Sequence, residues 1–328
     1  MANYRSIILA TGSYIPDNVI TNEALTQFPA QLVPLIEQKT GVRSRSHANS
    51  SQCTSDLAIA ASSRCLAKAN FDPRHLDAII LATSSPDRVQ PATASRVQSE
   101  IGALNAFAFD INAVCSGGVF ALHVADAFIK AGFYKNILVV AAEIYSRFLD
   151  PSDFSTYPYF GDGAGAVLLV ASENTDKGIV KSLLKTDGSG ADIIQVPAGG
   201  SMLPFNQLKN PKDLYFKMVG KAVFDFAITR GTEIIQEIIK EAQIDKDQLC
   251  FIIPHQANLN IIKELSSRLD INFNKFFTNL ERYGNTAAAS VLIGLDELMD
   301  SGKIRNNDMV LLVAFGGGFS WGSNLIIM

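Results

Sequence analysis

Residues 109–118 join a strand-like run to a helix, and they read Phe109-Asp110-Ile111-Asn112-Ala113-Val114-Cys115-Ser116-Gly117-Gly118. The apolar run before them predicts a strand, and a helical pattern of apolar residues begins at Val119. Cys115 therefore lies just before a helix, where the positive end of the helix dipole would favour the thiolate. The small residues around it would let a substrate approach closely. This stretch predicts a nucleophilic cysteine, although a buried, inert cysteine would give the same local pattern.

The size and composition of the chain predict one or two globular domains. It has 328 residues, of which 48% are hydrophobic and 18% are charged, and this composition fits a large core. The formal net charge of −4 gives no broad electrostatic reason to expect nucleic acid binding. No apolar segment reaches the length of a membrane span, and the first residues lack the pattern of a signal peptide.

The four cysteines are far apart in the sequence, and no two of them form a CxxC pair: Cys53, Cys65, Cys115 and Cys250. This spacing predicts neither a zinc site nor a disulfide framework. We therefore expect a protein of the reducing cytoplasm.

Alternating strand and helix patterns predict an α/β fold. Residues 12–18 are interpreted as a turn, and residues 22–41 as a helix broken by Pro29 and Pro34. Arg45 is placed in a polar loop with its neighbours. The glycine-rich stretch Asp162 to Ala166 leads into a strand and does not open a helix, so it is interpreted as a packing feature and not as a dinucleotide fingerprint.

One pattern occurs twice in the chain. The helix end, turn and buried strand over residues 66–80 recur over residues 239–253, 173 positions later. Further on, Leu122 matches Leu292 at an offset of 170. Two related halves explain both matches, and chance similarity between two α/β units is the alternative.

The predicted halves are residues 1–172 and 173–328. Adding the offset of 170 to Cys115 gives Asn285, which also lies in a small-residue turn before a helix. If the halves pack about a pseudo-twofold axis, these two residues occupy equivalent helix starts and could face one pocket. Taken alone, Asn285 would more simply be a helix N-cap.

Two further stretches carry candidate functional groups. His255 directly follows the predicted strand Phe251 to Ile253, and ligand sites of α/β sheets gather at such strand ends. The glycines Gly316 to Gly318 follow another buried strand and could present backbone N–H groups to a ligand oxygen. A tight turn before the last strand is the alternative for the glycines.

These stretches together resemble one family of condensing enzymes of the thiolase superfamily, the β-ketoacyl-acyl-carrier-protein synthase III family. The resemblance covers nearly the whole chain. Its motifs are Gly12-Ser13-Tyr14-Ile15-Pro16, Thr40-Gly41-Val42, the Cys115 turn, Phe160-Gly161-Asp162-Gly163-Ala164-Gly165-Ala166, Pro254-His255-Gln256-Ala257-Asn258-Leu259, Gly284-Asn285-Thr286 and Phe315-Gly316-Gly317-Gly318-Phe319-Ser320-Trp321-Gly322-Ser323. It implies a thiolase-like α/β fold, in which two duplicated βαβαβαββ halves form five αβαβα layers, and a homodimer.

The resemblance also implies a reaction and the residues that perform it. Cys115 would take an acyl group from a thioester primer, and the N–H groups of Cys115 and Gly317 would form the oxyanion hole. A malonyl thioester on acyl carrier protein would lose CO2, with His255 and Asn285 stabilising its enolate. Asn258 would orient a water or the substrate arm. The product would be a β-ketoacyl thioester for fatty acid or specialised lipid or polyketide synthesis, and no metal or redox cofactor would be needed.

Several positions depart from the family pattern. Leu35 and Phe154 stand where the family has a tryptophan and an arginine that clamp the adenine of coenzyme A, whereas Lys39 is retained. Gln90 replaces the partner-chain phenylalanine that closes the acyl pocket. The remaining implied positions are Gly220 for substrate binding, and Lys221, Lys263 and Arg268 for docking of the carrier protein. These departures favour a primer on carrier protein and resemble those of synthase-III-like enzymes of specialised pathways.

Three other functions fit parts of the sequence. A cysteine hydrolase would share the order Cys, His, Asn, but its local cysteine signature is absent and the repeat would be unexplained. A non-catalytic partner of a ketosynthase would usually lack the cysteine. An acyltransferase of the same fold would pass the acyl group to another acceptor, and CO2 release from a malonyl thioester would distinguish it from a condensing enzyme.

Overall fold

The computed structural model describes residues 4–173 and 176–328, which form eight α-helices and thirteen strands. The helices are α1 (Val33–Thr40), α2 (Thr54–Lys68), α3 (Thr93–Glu100), α4 (Gly117–Lys130), α5 (Gly220–Ala242), α6 (Leu259–Leu269), α7 (Leu280–Tyr283) and α8 (Ser290–Asp300). The strands are β1 (Tyr4–Tyr14), β2 (Val19–Thr21), β3 (Ser44–Ser46), β4 (Ala78–Ala82), β5 (Phe107–Ile111), β6 (Asn136–Glu143), β7 (Gly163–Glu173), β8 (Gly178–Thr186), β9 (Ile194–Gln195), β10 (Lys217–Met218), β11 (Leu249–Pro254), β12 (Met309–Gly316) and β13 (Ser320–Ile327).

Two mixed sheets organise the molecule. The first has the strand order β1-β7-β6-β4-β5, in which β4 runs parallel to β5 and β6. The second has the order β11-β12-β13-β8, in which β11 and β12 are parallel. Beside β11, a single bridge between Ile252 and Phe276 stands where the first sheet has the strand β5. The second sheet is therefore a shortened copy of the first.

Helices cover both sheets and also separate them. α4 and α8 lie between the sheets and contact strands of each. α2 and α3 pack on the outer face of the first sheet, and α5 packs on the outer face of the second, with α6 against it. The central apolar cluster includes fully buried Leu122 and Val291 from the two middle helices. The five-layered, duplicated thiolase-like fold predicted from the sequence is confirmed.

The glycines of residues 162–166 serve close packing, as predicted. A Cβ atom on Gly165 would lie 2.6 Å from the Cβ of Leu292 in α8. A Cβ atom on Gly118 would lie 2.8 Å from the carbonyl oxygen of Ala288. Larger side chains at these positions would push the middle helices away from their neighbours.

The backbone shows how the two halves correspond. Asn70 and Gln243, which lie just after α2 and α5, both have positive φ, at +48° and +54°. Val114 and Ala287 both have φ of +48°. The members of each pair are 173 positions apart. Positive φ is uncommon outside glycine, so its recurrence at one offset identifies equivalent turns.

The predicted equivalence of Cys115 and Asn285 is wrong. At an offset of 173, Cys115 corresponds to Ala288, and Asn285 corresponds to Asn112. α8 has 11 residues and α4 has 14, so the offset falls to 170 within these helices and stays at 170 in the turn after them, where Gly132 and Gly302 both have positive φ. The loop before β12 is longer than the loop before β6, and this restores the offset of 173. The predicted equivalence was wrong because it applied the offset of the helices to the turn that precedes them.

Some local predictions also need correction. Residues 12–14 belong to β1 and not to a turn. Pro34 lies in the first turn of α1, where proline is tolerated, and it does not break the helix. Arg45 lies in β3 and is completely buried, with Nη2 donating to the side-chain oxygen of Asn22. The predicted division between residues 172 and 173 falls near the end of β7, before the chain enters the second sheet.

In the described part of the chain, no helix combines the length and apolarity needed to cross a membrane.

Candidate active site

Cys115 lies in a tight turn between β5 and α4. Val114 has positive φ, and its backbone N–H donates to the side-chain oxygen of Asn112 at 3.1 Å. The Cys115 side chain is 7% exposed. A Cβ atom on Gly117 would lie 3.1 Å from the Cβ of Ala82, so a small residue is required for the helix to begin here. The predicted position of the cysteine at a helix start is confirmed.

Gly316 to Gly318 form a turn at the end of β12, here called the glycine turn. It contacts the turn of residues Asn112 to Ser116, here called the cysteine turn. A Cβ atom on Gly316 would lie 2.8 Å from the backbone nitrogen of Cys115. The hydroxyl groups of Ser116 and Ser320 are 2.7 Å apart and tie the two turns together. Gly317 is the next residue along the glycine turn and packs against Ile194. Its predicted role in an oxyanion hole stays a prediction.

Burial controls the charge of the Cys115 thiol. It raises the pKa of this thiol, and the nearby Glu143 carboxyl raises the pKa further. Burial and Glu143 therefore oppose the helix dipole, which was predicted to favour the thiolate. Glu143 is itself fully buried, and burial raises the pKa of its carboxyl to about 7. Hydrogen bonds from the Ser84 and Ser85 hydroxyls, at 2.9 and 2.5 Å, oppose that rise.

His255 follows β11 directly and is 2% exposed. Its backbone N–H donates to the carbonyl of Val313 at 2.7 Å, which fixes it at the end of the second sheet. Its Nδ1 lies 2.7 Å from the Oγ of Ser290. Burial lowers the pKa of His255 to about 3, so the imidazole is neutral. A neutral imidazole has one nitrogen that donates and one that accepts.

Three hydrogen bonds hold Asn285, and one of them orients its side chain. Its backbone N–H donates to the carbonyl of Tyr159 at 2.8 Å, and its carbonyl accepts from Gly161 at 3.0 Å. Its side-chain oxygen accepts the N–H of Ala287 at 2.9 Å. Since the oxygen is engaged, the amide Nδ2 remains to donate into the adjacent cavity. Asn285 thus stabilises the turn before α8 without being the N-cap of that helix, and it lines the cavity. Its predicted functional role stays a prediction.

One cavity of about 340 Å³ brings these residues together. Cys115, His255 and Asn285 all line it, and its remaining wall is mainly aromatic and aliphatic. Four of the predicted substrate-binding residues also line it: Lys39, Phe154, Gly220 and Asn258. Leu35 and Gln90 do not. Leu35 is half-buried in α1, and Gln90 is exposed before Pro91.

Asn258 connects two helices at the cavity wall. Its side-chain oxygen accepts the N–H of Asn260 at 2.8 Å, which caps the start of α6. Its Nδ2 donates to the carbonyl of Lys39 at 3.1 Å, and the side chain of Asn260 donates to the same carbonyl at 2.8 Å. The predicted contact of Asn258 with a water or substrate stays a prediction.

Phe154 belongs to an aromatic group beside the cavity. Its ring meets Phe28 edge-on at 5.3 Å and Tyr159 at 6.4 Å between ring centroids. Both geometries are edge-to-face, which is a favourable arrangement for aromatic pairs. The cavity wall at this position is therefore apolar and packed, where the family pattern has a positive charge.

The predicted docking residues lie on the surface. Lys221 pairs with Asp225 at 2.5 Å, and Arg268 lies 3.6 Å from Glu264. Lys263 is exposed on α6.

Several lining residues were missed by the sequence analysis. Ile194 and Met218 come from β9 and β10, two-residue strands that pair within a long loop. Such short strands leave no periodic pattern in the sequence. Phe216 and Phe224 also line the cavity. Ser290 was missed as the partner of His255, although it lies only five residues after Asn285.

Two family models match the chain. The model of 3-oxoacyl-[acyl-carrier-protein] synthase III matches residues 109–188, and the model of the C-terminal part of the same synthase matches residues 239–328. The first covers the cysteine turn, and the second covers His255, Asn285 and the glycine turn.

Full-length relatives give the same result. The β-ketoacyl-acyl-carrier-protein synthase III of Caldanaerobacter subterraneus is 42% identical over 320 residues, which are 97% of this chain and 96% of the relative. That of Clostridium acetobutylicum is 38% identical over 319 residues, which are 97% of both chains.

Solved structures share the fold. The 3-oxoacyl-acyl-carrier-protein synthase III of Aquifex aeolicus has a TM-score of 0.89 at 36% identity and covers 98% of this chain and 100% of its own. The priming β-ketosynthase of the R1128 polyketide pathway has a TM-score of 0.91 at 30% identity and covers 100% of this chain and 98% of its own. The resemblance seen in the sequence is confirmed: this chain is a condensing synthase that belongs to the 3-oxoacyl-[acyl-carrier-protein] synthase III family.

Proposed function

We propose that Cys115 takes the acyl group of a thioester primer and passes it to the carbanion formed from a malonyl thioester. This is the condensation that begins or primes fatty acid synthesis. The observation that supports it is the meeting of Cys115, His255 and Asn285 in one mainly apolar cavity. Each of these three groups has a different chemical task.

In the first step, the Cys115 sulfur attacks the thioester carbonyl, and the sulfur–carbon bond of the donor breaks. The proton of the resting thiol leaves with the departing carrier thiol, so no net charge remains in the buried site. The negative oxygen of the tetrahedral intermediate would accept hydrogen bonds from the N–H groups of Cys115 and Gly317. The contact between the two turns supports this assignment, because it brings the glycine backbone against Cys115 N.

In the second step, the malonyl thioester loses CO2, and the electron pair of the broken carbon–carbon bond moves toward the thioester oxygen. His255 Nε2–H and Asn285 Nδ2–H would donate to that oxygen. A neutral His255, with a pKa lowered to about 3 by burial, can donate a hydrogen bond without losing its proton. Removal of one such donor typically costs about 10²- to 10³-fold in rate.

In the third step, the carbanion attacks the acyl-Cys115 carbonyl, a carbon–carbon bond forms, and the sulfur–carbon bond to Cys115 breaks. The thiolate that leaves takes up one proton from solvent and returns to the resting thiol. The electrons for the new bond come from the carboxylate that leaves as CO2. The proposed reaction therefore uses no metal or redox cofactor.

We assign the malonyl carrier as acyl carrier protein and favour the same carrier for the primer. The packed aromatic group around Phe154 supports this choice, because it offers no guanidinium for an adenine ring. Leu35 lies outside the cavity wall and cannot replace a flat stacking partner. Lys39 remains in the wall as a cation for the phosphate of the substrate arm. We place the docking surface for the carrier protein at Lys221, Lys263 and Arg268. We also propose a primer of specialised structure, because Gln90 stands where the family pattern has the phenylalanine that closes the acyl pocket.

The exposed strand β5 supports a homodimer. β5 is an edge of the first sheet, and Phe107 in it is 39% exposed. Leu104, three residues before Phe107, is 72% exposed, and Phe133 is 76% exposed and adjoins Tyr134, whose ring meets that of Phe107. Unpaired edges with apolar side chains favour pairing with another chain.

All four cysteines are free, which agrees with the expected cytoplasmic location.

The test is the intact mass of the protein after brief incubation with acyl-coenzyme A and acyl-carrier-protein thioesters, followed by malonyl-acyl carrier protein. We expect a gain of one acyl group, its loss on addition of the malonyl thioester, and release of CO2. Cys115→Ala should show no gain, whereas Cys250→Ala, which removes a half-buried thiol outside the cavity, should label normally. Acyl transfer to an alcohol or amine without CO2 release would establish an acyltransferase instead. No labelling from any donor would support a non-catalytic subunit.

A further inference from the structure

Ser290 holds the imidazole of His255 from the side opposite the proposed donor nitrogen. It is the first residue of α8 and is 1% exposed. Its Oγ lies 2.7 Å from His255 Nδ1. The backbone N–H of Gln256 also donates to this Oγ, at 3.4 Å. In the described part of the chain, the Ser290 hydroxyl has no other hydrogen-bond partner.

The direction of the Ser290–His255 hydrogen bond follows from this set of contacts. A hydroxyl has one hydrogen to donate and two lone pairs to accept. If His255 carried its proton on Nδ1, Ser290 would accept from both Nδ1–H and Gln256 N–H. Its own hydrogen would then be buried without an acceptor, which is unfavourable. If Ser290 donates to Nδ1, all of these groups are satisfied.

The neighbours of Ser290 keep it in place. The side chain of Gln256 is held at both ends, since Nε2 donates to the carbonyl of Pro254 at 2.6 Å and Oε1 accepts from Asn279 N–H at 3.0 Å. The Gln256 N–H is thus fixed where it meets Ser290. Ser290 also belongs to the segment that carries Asn285, so one short stretch positions both proposed enolate donors.

We propose that Ser290 is a positioning residue that donates its hydroxyl hydrogen to His255 Nδ1 and so keeps the proton of the neutral imidazole on Nε2. This proposal rests on the proposed function of His255 and deepens it. With the proton on Nε2, His255 donates to the enolate oxygen. With the proton on Nδ1, the nitrogen facing the cavity would present a lone pair to that oxygen and repel it.

The consequence is specific to one step of the reaction. Loss of the Ser290 hydroxyl leaves the imidazole, the cavity and Cys115 in place but lets the proton move between the two nitrogens. Decarboxylation of the malonyl thioester should fall about 10- to 100-fold, less than the 10²- to 10³-fold typical for removal of a whole donor. Acylation of Cys115, which does not use His255 Nε2–H, should be unchanged.

The experiment combines nitrogen NMR with step-resolved kinetics on the full chain. The protein is labelled with ¹⁵N-histidine, and the His255 signals are assigned by their loss in His255→Ala. In the unmodified protein we expect Nε2 in the protonated, pyrrole-type range and Nδ1 in the pyridine-type range. In Ser290→Ala the two signals should move toward each other, and in Ser290→Thr they should return. The control is Ser62→Ala, which removes a buried hydroxyl of α2 that has no hydrogen-bond partner in the described residues; its His255 signals should not change.

The outcomes are distinct. Protonated Nδ1 in the unmodified protein would overturn the proposal, and so would an unchanged His255 spectrum in Ser290→Ala. An equal loss of acylation and decarboxylation, with unchanged His255 signals, would make Ser290 a purely structural residue. If the unmodified protein releases no CO2 from any malonyl thioester, the proposed function fails, yet the NMR signals still test the role of Ser290.

Discussion

Asn112 and Asn285 make the same hydrogen bond in the two halves of the molecule. The side-chain oxygen of each accepts the backbone N–H two residues later, from Val114 at 3.1 Å and from Ala287 at 2.9 Å. Asn112 is exposed at the end of β5, whereas Asn285 is 6% exposed and lines the cavity. The duplicated fold thus contains the same hydrogen-bonded turn twice, and only the asparagine of the second copy lines the cavity.

The two ends of the Asn285 amide can be separated by substitution. Asn285→Asp keeps the oxygen that binds Ala287 N–H but removes the amide donor, and aspartate caps turns about as well as asparagine. We expect decarboxylation to fall about 10²- to 10³-fold, while the hydrogen bond to Ala287 N–H is kept. Burial of the new carboxyl group should lower the free energy of unfolding as the pH rises. Asn285→Ala should lose the same activity and also the cap. Measured CO2 release and urea unfolding test this, and near-normal CO2 release in Asn285→Asp would refute the donor role.

The contact between the glycine turn and the cysteine turn predicts the effect of a single methyl group. A Cβ atom at Gly316 would lie 2.8 Å from Cys115 N, closer than side-chain carbons approach a backbone nitrogen. Gly316→Ala should displace the Cys115 backbone and reduce acylation at least about 10²-fold, the typical effect of losing one oxyanion donor. Gly200→Ala is the matched control, because a Cβ atom there meets nothing within 4 Å. Time-resolved intact mass with the best primer measures both, and equal acylation rates for the two variants would contradict the prediction.

The three main site residues could be predicted because each directly follows a recognisable pattern. Cys115 follows an apolar run, His255 ends a buried strand, and Asn285 lies in a small-residue turn before a helix. The internal repeat then indicated that these positions belong to one architecture. The sequence predicted that Cys115 and Asn285 could face one pocket, and both line the same cavity. The equivalence drawn between their positions in the two halves was wrong by three residues.

Other features depend on the folded environment and left little signal in the sequence. The charge of Cys115 depends on burial and on Glu143, which is 28 residues away in the chain. Ile194 and Met218 enter the cavity wall through a pairing of two-residue strands. Arg45 carries a charge and lies in a polar stretch, yet it is buried because its guanidinium donates to Ile20 and Asn22. Long-range contacts, and not local propensity, decide each of these cases.

The raised pKa of Glu143 predicts a pH-dependent contribution to stability. Burial raises this pKa from the usual 4.5 to about 7, so the folded state favours the protonated carboxyl. The contribution of Glu143 to stability is therefore fully present below about pH 4.5 and is lost as the pH rises to about 7. Glu143→Gln, which is always neutral, should become more stable relative to the unmodified protein across this range, by an amount on the order of 3 kcal/mol. Urea unfolding of both proteins from pH 4.5 to pH 8 measures the difference, and a constant difference would contradict the assignment.

The same substitution should change the reactivity of the nucleophile. The Glu143 carboxylate raises the pKa of the Cys115 thiol, so removal of its charge should lower that pKa. In Glu143→Gln, alkylation of Cys115 by iodoacetamide should therefore begin at a lower pH than in the unmodified protein. Peptide mass mapping distinguishes Cys115 from the other three thiols. An alkylation profile that does not move would show that Glu143 is electrostatically uncoupled from the nucleophile.

The aromatic group beside the cavity predicts which primer carrier the enzyme prefers. Phe154 packs edge-on against Phe28 and Tyr159 and provides no positive charge for an adenine ring. We expect the unmodified protein to be acylated efficiently from acyl carrier protein and poorly from acyl-coenzyme A. Phe154→Arg would restore the charge that the family pattern has at this position, and it should raise kcat/KM for acyl-coenzyme A about 10-fold, which corresponds to about 1.4 kcal/mol. Phe154→Ala removes the ring without adding a charge and should not give this gain. If both variants improve equally, the ring acts only as a steric barrier; if the unmodified protein already uses acyl-coenzyme A well, the proposed preference for carrier protein is wrong.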